Sequence, residues 1–202
     1  DLAEAYERDD LALGRFPSVL RAANVEFVPS DMRAPATLAP VLDGVDFVFH
    51  LASVSSANAP RSILQAVNVQ GTRALVDLLL ERPRKTRLER LVLLGDGGVY
   101  GLPTPYDLPL TEDTPPSPAN PYTKSKWEQE WLLMEAGRKQ GLPFSTLRPT
   151  GVYGPRAVRG AGQMILNAAS MSALAVPSSF TARIPFVHVR DVALAALHVA
   201  MA

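Results

Sequence analysis

Tyr122-Thr-Lys-Ser-Lys126 sets a phenol and an ammonium four residues apart. On a helix those two positions share a face, about one turn from each other. A phenol with an ordinary pKa of ~10 is a poor acid or base at neutral pH. A neighbouring ammonium favours the phenolate and lowers that pKa. The pair therefore reads as a proton-transfer device for an alcohol or a carbonyl. The same spacing also fits an exposed Tyr and a solvated Lys at a helix start, because so short a motif recurs by chance. A second candidate is Gly95-Asp-Gly-Gly98-Val-Tyr-Gly101, whose glycines 95, 98 and 101 imitate a dinucleotide-binding turn. That turn works by opening a helix whose first amides hold a pyrophosphate. Here the chain runs on into Leu102-Pro-Thr-Pro105, which cannot be such a helix, so the glycines are a decoy. His50, His188 and His198 show no metal-ligand spacing. The basic run Arg82, Arg84, Lys85, Arg87 and Arg90 reads as a solvated helix end, and Trp127 and Trp131 as core or interface aromatics.

The elements that must position these residues alternate. Strand-like apolar runs occur at Val25–Val28, Val45–His50, Leu91–Leu94 and Phe144–Leu147. Between them lie segments with helical spacing, at 35–42, 62–81 and 122–140, the last stopping at Gly141. A looser helix is predicted over about 163–174 and an alanine-rich one over 189–202. Residues 102–121 hold seven prolines, too many for regular structure. Strand and helix in alternation predict a doubly wound parallel sheet of the α/β class, with helices on both faces and right-handed crossovers.

Composition narrows the function classes. The 202 residues carry 20 basic and 20 acidic side chains, so no long-range field favours nucleic acid or an anionic membrane. There is no cysteine, which excludes disulfides and thiolate chemistry. No apolar run approaches the roughly 20 residues of a membrane span, and the first ten residues are too acidic for a signal peptide. A soluble, cytoplasmic protein is expected.

Six motifs then occur in order: Val45–Ser53, Asn68-Val-Gln-Gly-Thr72, Val99-Tyr-Gly101, Ser117–Lys126, Leu147–Arg156 and Phe186–Val192. From about residue 24 onward the series resembles the extended short-chain dehydrogenase/reductase superfamily, and within it the NAD-dependent epimerase/dehydratase family. The resemblance implies a Rossmann-like fold and a NAD or NADP cofactor. It implies Tyr122 as catalytic acid/base and Lys126 as its ribose-binding partner. It also implies Asp31 and Met32 flanking the adenine, with Leu51, Ala52 and Ser53 beneath the cofactor. Asn68, Pro149 and Thr150 would lie beside the nicotinamide half. The substrate would be a small hydroxyl-bearing molecule such as a nucleotide sugar. A hydroxysteroid or dihydroflavonol is the alternative, and a non-catalytic dinucleotide-binding or interaction protein the rival of another class. Helices 62–81 and 121–140 match those through which the family forms homodimers.

Three departures from the family pattern matter. The opening strand, Gly-rich turn and helix are not in these residues, and the family's small C-terminal substrate domain is largely absent. The chain is thus expected to be a single Rossmann-like domain fragment over 1–202, binding NAD weakly by itself. Finally, Asp96 stands where the family has a Ser or Thr whose hydroxyl bonds the reacting oxygen. An ionised carboxylate only accepts hydrogen bonds and would oppose the help Lys126 gives the phenol. Low activity is expected, unless Asp96 is a genuine acid serving a different substrate.

Overall fold

The computed structural model describes residues 25–26, 28–81, 88–102, 108–155, 157, 167, 169–170 and 185–202. Its centre is β2 (Arg90–Leu94), whose Leu91, Val92 and Leu93 are at most 1% exposed. A strand this apolar has to be covered on both faces. It lies between β1 (Phe47–His50) and β3 (Phe144–Leu147), parallel to both, with His50 opposite Leu93 and Leu94 opposite Leu147.

Alternation along β2 divides the core. Leu91 and Leu93 join Leu75, Val76 and Leu79 of α3 (Gly71–Glu81) and Leu133 and Ala136 of α4 (Pro121–Gln140). Val92 points the other way, into a cluster with Ala196 and Ala200 of α5 (Val189–Met201). Helices therefore cover both faces, as the strand–helix alternation predicts. A further parallel pair, β4 (Gly151–Tyr153) with β5 (Phe186–His188), was not expected from the sequence. These runs are three residues each, too short for periodicity to register.

Other differences are local. The predicted strand over 25–28 is not observed at Val25, Glu26 or Val28, and Phe27 lies outside the described residues. Val25 and Val28 are about half exposed, with no neighbouring strand to pair them among the described residues. The strand predicted from Val45 begins at Phe47, because Asp46 ends the preceding turn and its carbonyl accepts from Glu89 and Arg90. Residues 35–42 form a short α1 (Pro35–Leu38) and a 3-10 turn (Ala39–Val41), closed by Gly44 at φ 69°. The helix predicted over 62–81 is divided: α2 (Arg61–Leu64) passes through a π turn (Gln65–Gln70) into α3. Residues 82–87, which hold most of the basic run, lie outside the described residues, as does most of the helix predicted at 163–174. No helix among the described residues is long and apolar enough to cross a membrane.

The boundaries of α4 are set by local chemistry. The Asn120 side chain accepts from the Thr123 amide at 2.9 Å, and the Thr123 hydroxyl lies 3.2 Å from the Asn120 amide, a reciprocal cap. Pro121 occupies the first helical position and Gly141, at φ 71°, ends the helix. The cap fixes Tyr122 in the first turn and Lys126 one turn later, on the same face.

Candidate active site at the strand ends

The candidate residues gather at the carboxyl ends of parallel strands, where open α/β sheets bind their ligands. Leu51, Ala52 and Ser53 leave the end of β1, Gly95 and Asp96 the end of β2, and Pro149 and Thr150 the end of β3. The glycines after β2 are there for packing. A Cβ on Gly95 would meet the Leu147 carbonyl at 2.7 Å, and one on Gly97 would press on Thr150 and Pro149 at 3.1 and 3.2 Å. The close approach is held by Gly95 N–H to Leu147 O at 2.7 Å and Gly97 N–H to Pro149 O at 2.8 Å. The segment then turns through a 3-10 helix (Gly97–Tyr100), not the α-helix of a pyrophosphate site.

Asp96 caps that turn, its Oδ1 accepting from the Gly98 amide at 2.6 Å. Its Oδ2 accepts from the Tyr122 hydroxyl at 2.9 Å. Burial, together with the adjacent carboxylate, holds the Tyr122 phenol well above its ordinary pKa. Lys126 is only 4% exposed, and burial pushes its pKa down to about 8 although Asp96 and Glu130 attract the charge. Its ammonium has no hydrogen bond or ion pair among the described residues, whereas the neighbouring half-buried Arg148 is paired with Glu130.

Asn68, in the π turn, is fully buried. Its Oδ1 accepts from the Val54 amide at 2.8 Å, while its Nδ2 donates to the Val54 carbonyl at 3.2 Å and to Ser125 Oγ at 2.9 Å. Ser125 in turn donates to the Tyr122 carbonyl at 2.7 Å. Both amide hydrogens of Asn68 are thus committed to joining the loop after β1 to the first turn of α4. The extra residue of the π turn brings this side chain inward at the site, a common use of such bulges.

Further from the pair, the Asp31 carboxylate is bound by its neighbour Arg33 through the backbone amide, Nε and Nη2, at 2.8, 3.0 and 2.6 Å. That pairing holds its pKa down to about 2. Met32 packs on Gly71 at the start of α3, where a Cβ would come within 2.8 Å of it. Ser53 Oγ is buried without a hydrogen-bond partner.

Two side-chain clusters, around Glu130–Arg148 and around His50, were not foreseen as clusters from the sequence. Glu130, one turn beyond Lys126, is 6% exposed at its side chain and chelated by Arg148, whose Nε lies 3.1 and 3.0 Å from the two carboxylate oxygens. Arg148 also donates to the Tyr100 hydroxyl and to the Glu112 carbonyl, and its guanidinium lies 5.0 Å from the Tyr100 ring and 6.0 Å from the Trp127 ring. It thereby ties the Pro149–Thr150 segment to α4. The available signal was Glu130 continuing the Tyr122–Lys126 face at the next i+4 position. The second cluster joins His50 Nε2 to Thr72 Oγ1 at 2.7 Å, with Gln129 Nε2 donating to the same hydroxyl at 2.7 Å. Burial and the Lys126 charge push the His50 imidazole down to about 4, so it is neutral. It is a latch between β1, α3 and α4. His188 accepts from the Arg190 amide at 3.2 Å, and no metal-binding group of residues occurs among the described residues. Trp131 is 48% exposed, outside the core. A groove of about 960 Å³ opens beside Arg148, lined by Tyr100, Glu112, Glu130, Met134 and Thr150; Tyr122 and Lys126 do not line it.

Comparison with known proteins adds family evidence to this geometry. Residues 4–202 match the profile of the NAD dependent epimerase/dehydratase family. A UDP-glucose 4-epimerase from Azospirillum brasilense is 31% identical over 158 residues, 77% of this chain and 44% of its own length. A 3beta-hydroxysteroid-dehydrogenase/decarboxylase isoform from Arabidopsis thaliana is 28% identical over 148 residues, 70% of this chain and 32% of its own length. Among solved structures, a dTDP-glucose 4,6-dehydratase from Streptomyces venezuelae with NAD bound superposes with a TM-score of 0.72 at 27% identity, covering 87% of this chain and 55% of that one. The chain therefore spans less than half the length of these two curated relatives.

Proposed function

The chain belongs to the NAD-dependent epimerase/dehydratase family, and on that premise we propose that it carries the proton-transfer half of a nicotinamide-dependent enzyme acting on a secondary alcohol, such as that of a nucleotide sugar. Tyr122 exchanges the proton of the substrate hydroxyl, and Lys126 holds the cofactor ribose. The observation that carries this reading is Lys126 itself. Its side chain is 4% exposed and its ammonium makes no hydrogen bond or ion pair among the described residues, so its donors are available to a bound ribose diol. The Ser53 Oγ on the loop after β1, buried without a hydrogen-bond partner, fits a hydroxyl- and phosphate-bearing cofactor as well. When bound, the nicotinamide supplies the hydride chemistry, and the protein supplies orientation and the proton.

Among the other expected cofactor contacts, Leu51, Ala52, Pro149 and Thr150 stand at the strand ends where such a cofactor would lie. Asn68 supports the site from behind, through Val54 and Ser125. Asp31 would contact adenine only by sharing its carboxylate with Arg33. The exposed Trp131 and Met134 of α4 support the pairing of two copies through this face. The similarity to a hydroxysteroid dehydrogenase favours a sterol-like alcohol as a second substrate class.

The test uses full-length protein with nicotinamide-deuterated NADH or oxidised NAD and a panel of UDP-glucose, dTDP-glucose and a 3β-hydroxysteroid. Transfer of hydrogen between cofactor and one of these alcohols, or its ketone, is the expected result. Tight cofactor binding with no transfer to or from any of them would instead make the protein a non-catalytic dinucleotide binder.

A further inference from the structure

The carboxylate of Asp96 is held from both sides. Its Oδ1 accepts the Gly98 amide at 2.6 Å and its Oδ2 accepts the Tyr122 hydroxyl at 2.9 Å. Accepting at both oxygens is the pattern of the ionised form. The single proton of Tyr122 is thus directed at Asp96, and what the phenol offers a substrate is a lone pair. A substrate hydroxyl meeting Tyr122 does so as donor, completing a line from substrate O–H to tyrosine O–H to carboxylate.

We propose, resting on the oxidoreductase reading above, that Asp96 is the terminal acceptor of the substrate's hydroxyl proton and that Tyr122 passes it on. In oxidation, the substrate O–H bond breaks as a new O–H bond forms at Tyr122. The proton already on Tyr122 moves to Asp96 Oδ2, and the hydride leaves the substrate carbon with its electron pair for the oxidised nicotinamide. Tyr122 ends as it began, a neutral phenol, and the one proton released rests on a carboxylic acid. In reduction the same proton returns along the same line.

The surroundings favour this route over a free phenolate. Burial and the Asp96 charge raise the Tyr122 pKa, so a phenolate is disfavoured near neutrality. The relay never forms one. Among the described residues the other charged groups near the pair are Lys126, which attracts the Asp96 carboxylate, and Glu130 on α4, whose charge is compensated by Arg148. His50, behind Lys126, is neutral. The route uses the carboxylate for oxidation and the carboxylic acid for reduction.

Two measurements on the full-length protein test this. The first is an ultraviolet titration of tyrosine, taken as the difference from Tyr122→Phe, in wild type and in Asp96→Asn. Removing the charge is expected to move Tyr122 ionisation to lower pH; an unmoved titration overturns the proposal, whether or not any substrate is turned over. The second is the pH profile of oxidation with UDP-glucose and with a 3β-hydroxysteroid as probes. Asp96→Asn is expected to lose about 100-fold at pH 7. Asp96→Ser is expected to work only as the pH rises, since Tyr122 must then ionise. An Asn variant with undiminished oxidation, or a Ser variant faster than wild type at pH 7, overturns the relay while leaving the oxidoreductase reading intact. If wild type oxidises neither probe, that reading is what suffers, and the tyrosine titration decides the relay.

Discussion

Replacing Lys126 by Met is expected to stabilise the cofactor-free protein while abolishing the cofactor contact proposed for the lysine. The side chain is 4% exposed, and its pKa falls to about 8 from the ordinary 10.5. At 1.36 kcal/mol per unit, a shift of that size corresponds to a burial cost of about 3 kcal/mol for the charged form. The sign follows from proton linkage. Between pH 8 and 10.5 the unfolded chain holds the proton and the folded one does not, so stability rises with pH across that window. Below 8 both forms are charged and the full cost is present. Above 10.5 neither is charged and it vanishes. Met has nearly the same length and no charge, so urea unfolding at pH 7 should show Lys126→Met more stable by about 2–3 kcal/mol. The gap should narrow as the pH is raised towards 10. In the full-length protein, titrated NAD should raise the wild-type midpoint and leave the variant's unchanged, because the proposed ribose partner is gone. A Met variant less stable than wild type at pH 7, or a gap indifferent to pH, would refute the picture of a lysine whose charge is penalised by burial.

Tyr122→Phe keeps the ring and removes the exchangeable proton, so steady-state hydride transfer should fall by about 100-fold or more with cofactor affinity kept. Arg148→Ala leaves Glu130 buried without its partner and should cost about 3–5 kcal/mol by urea unfolding. The double replacement Arg148→Met with Glu130→Leu should recover most of that loss. Asn68→Ala strips partners from the Val54 amide and carbonyl and from Ser125, so about 2–4 kcal/mol should be lost, read in the same assay. Gly101→Ala combines φ 74° with a Cβ that would lie 2.3 Å from the Ser117 carbonyl, and its thermal midpoint should drop by more than an ordinary surface substitution produces.

What the residues determined by themselves is local and periodic. The unbroken run Leu91–Leu94 announces a strand covered on both faces, and Asn120, Pro121 and Gly141 bound α4 to within a residue. The i,i+4 spacing alone puts Tyr122 and Lys126 on one side of that helix. Phase along a regular element depends only on near neighbours in the chain, so it can be read from them. The identity of the Tyr122 partner could not be. Asp96 lies 26 residues away and reaches the phenol only because β2 runs parallel to β3 and delivers its end beside the first turn of α4. The same holds for Asn68, whose amide sequence suggested a cofactor contact and whose hydrogens packing commits to Val54 and Ser125, the latter 57 residues on. The π turn that aims it has no periodic signature, since one extra residue in a helix leaves the apolar pattern readable on both sides. Glycines 95, 98 and 101 imitate a phosphate-binding turn in the sequence, and the fold uses Gly95, together with Gly97, to let two backbones touch. Which atoms share a proton, which amide is already engaged and which lysine is desolvated depend on packing and distance between segments remote in the chain, and only the packed structure sets those.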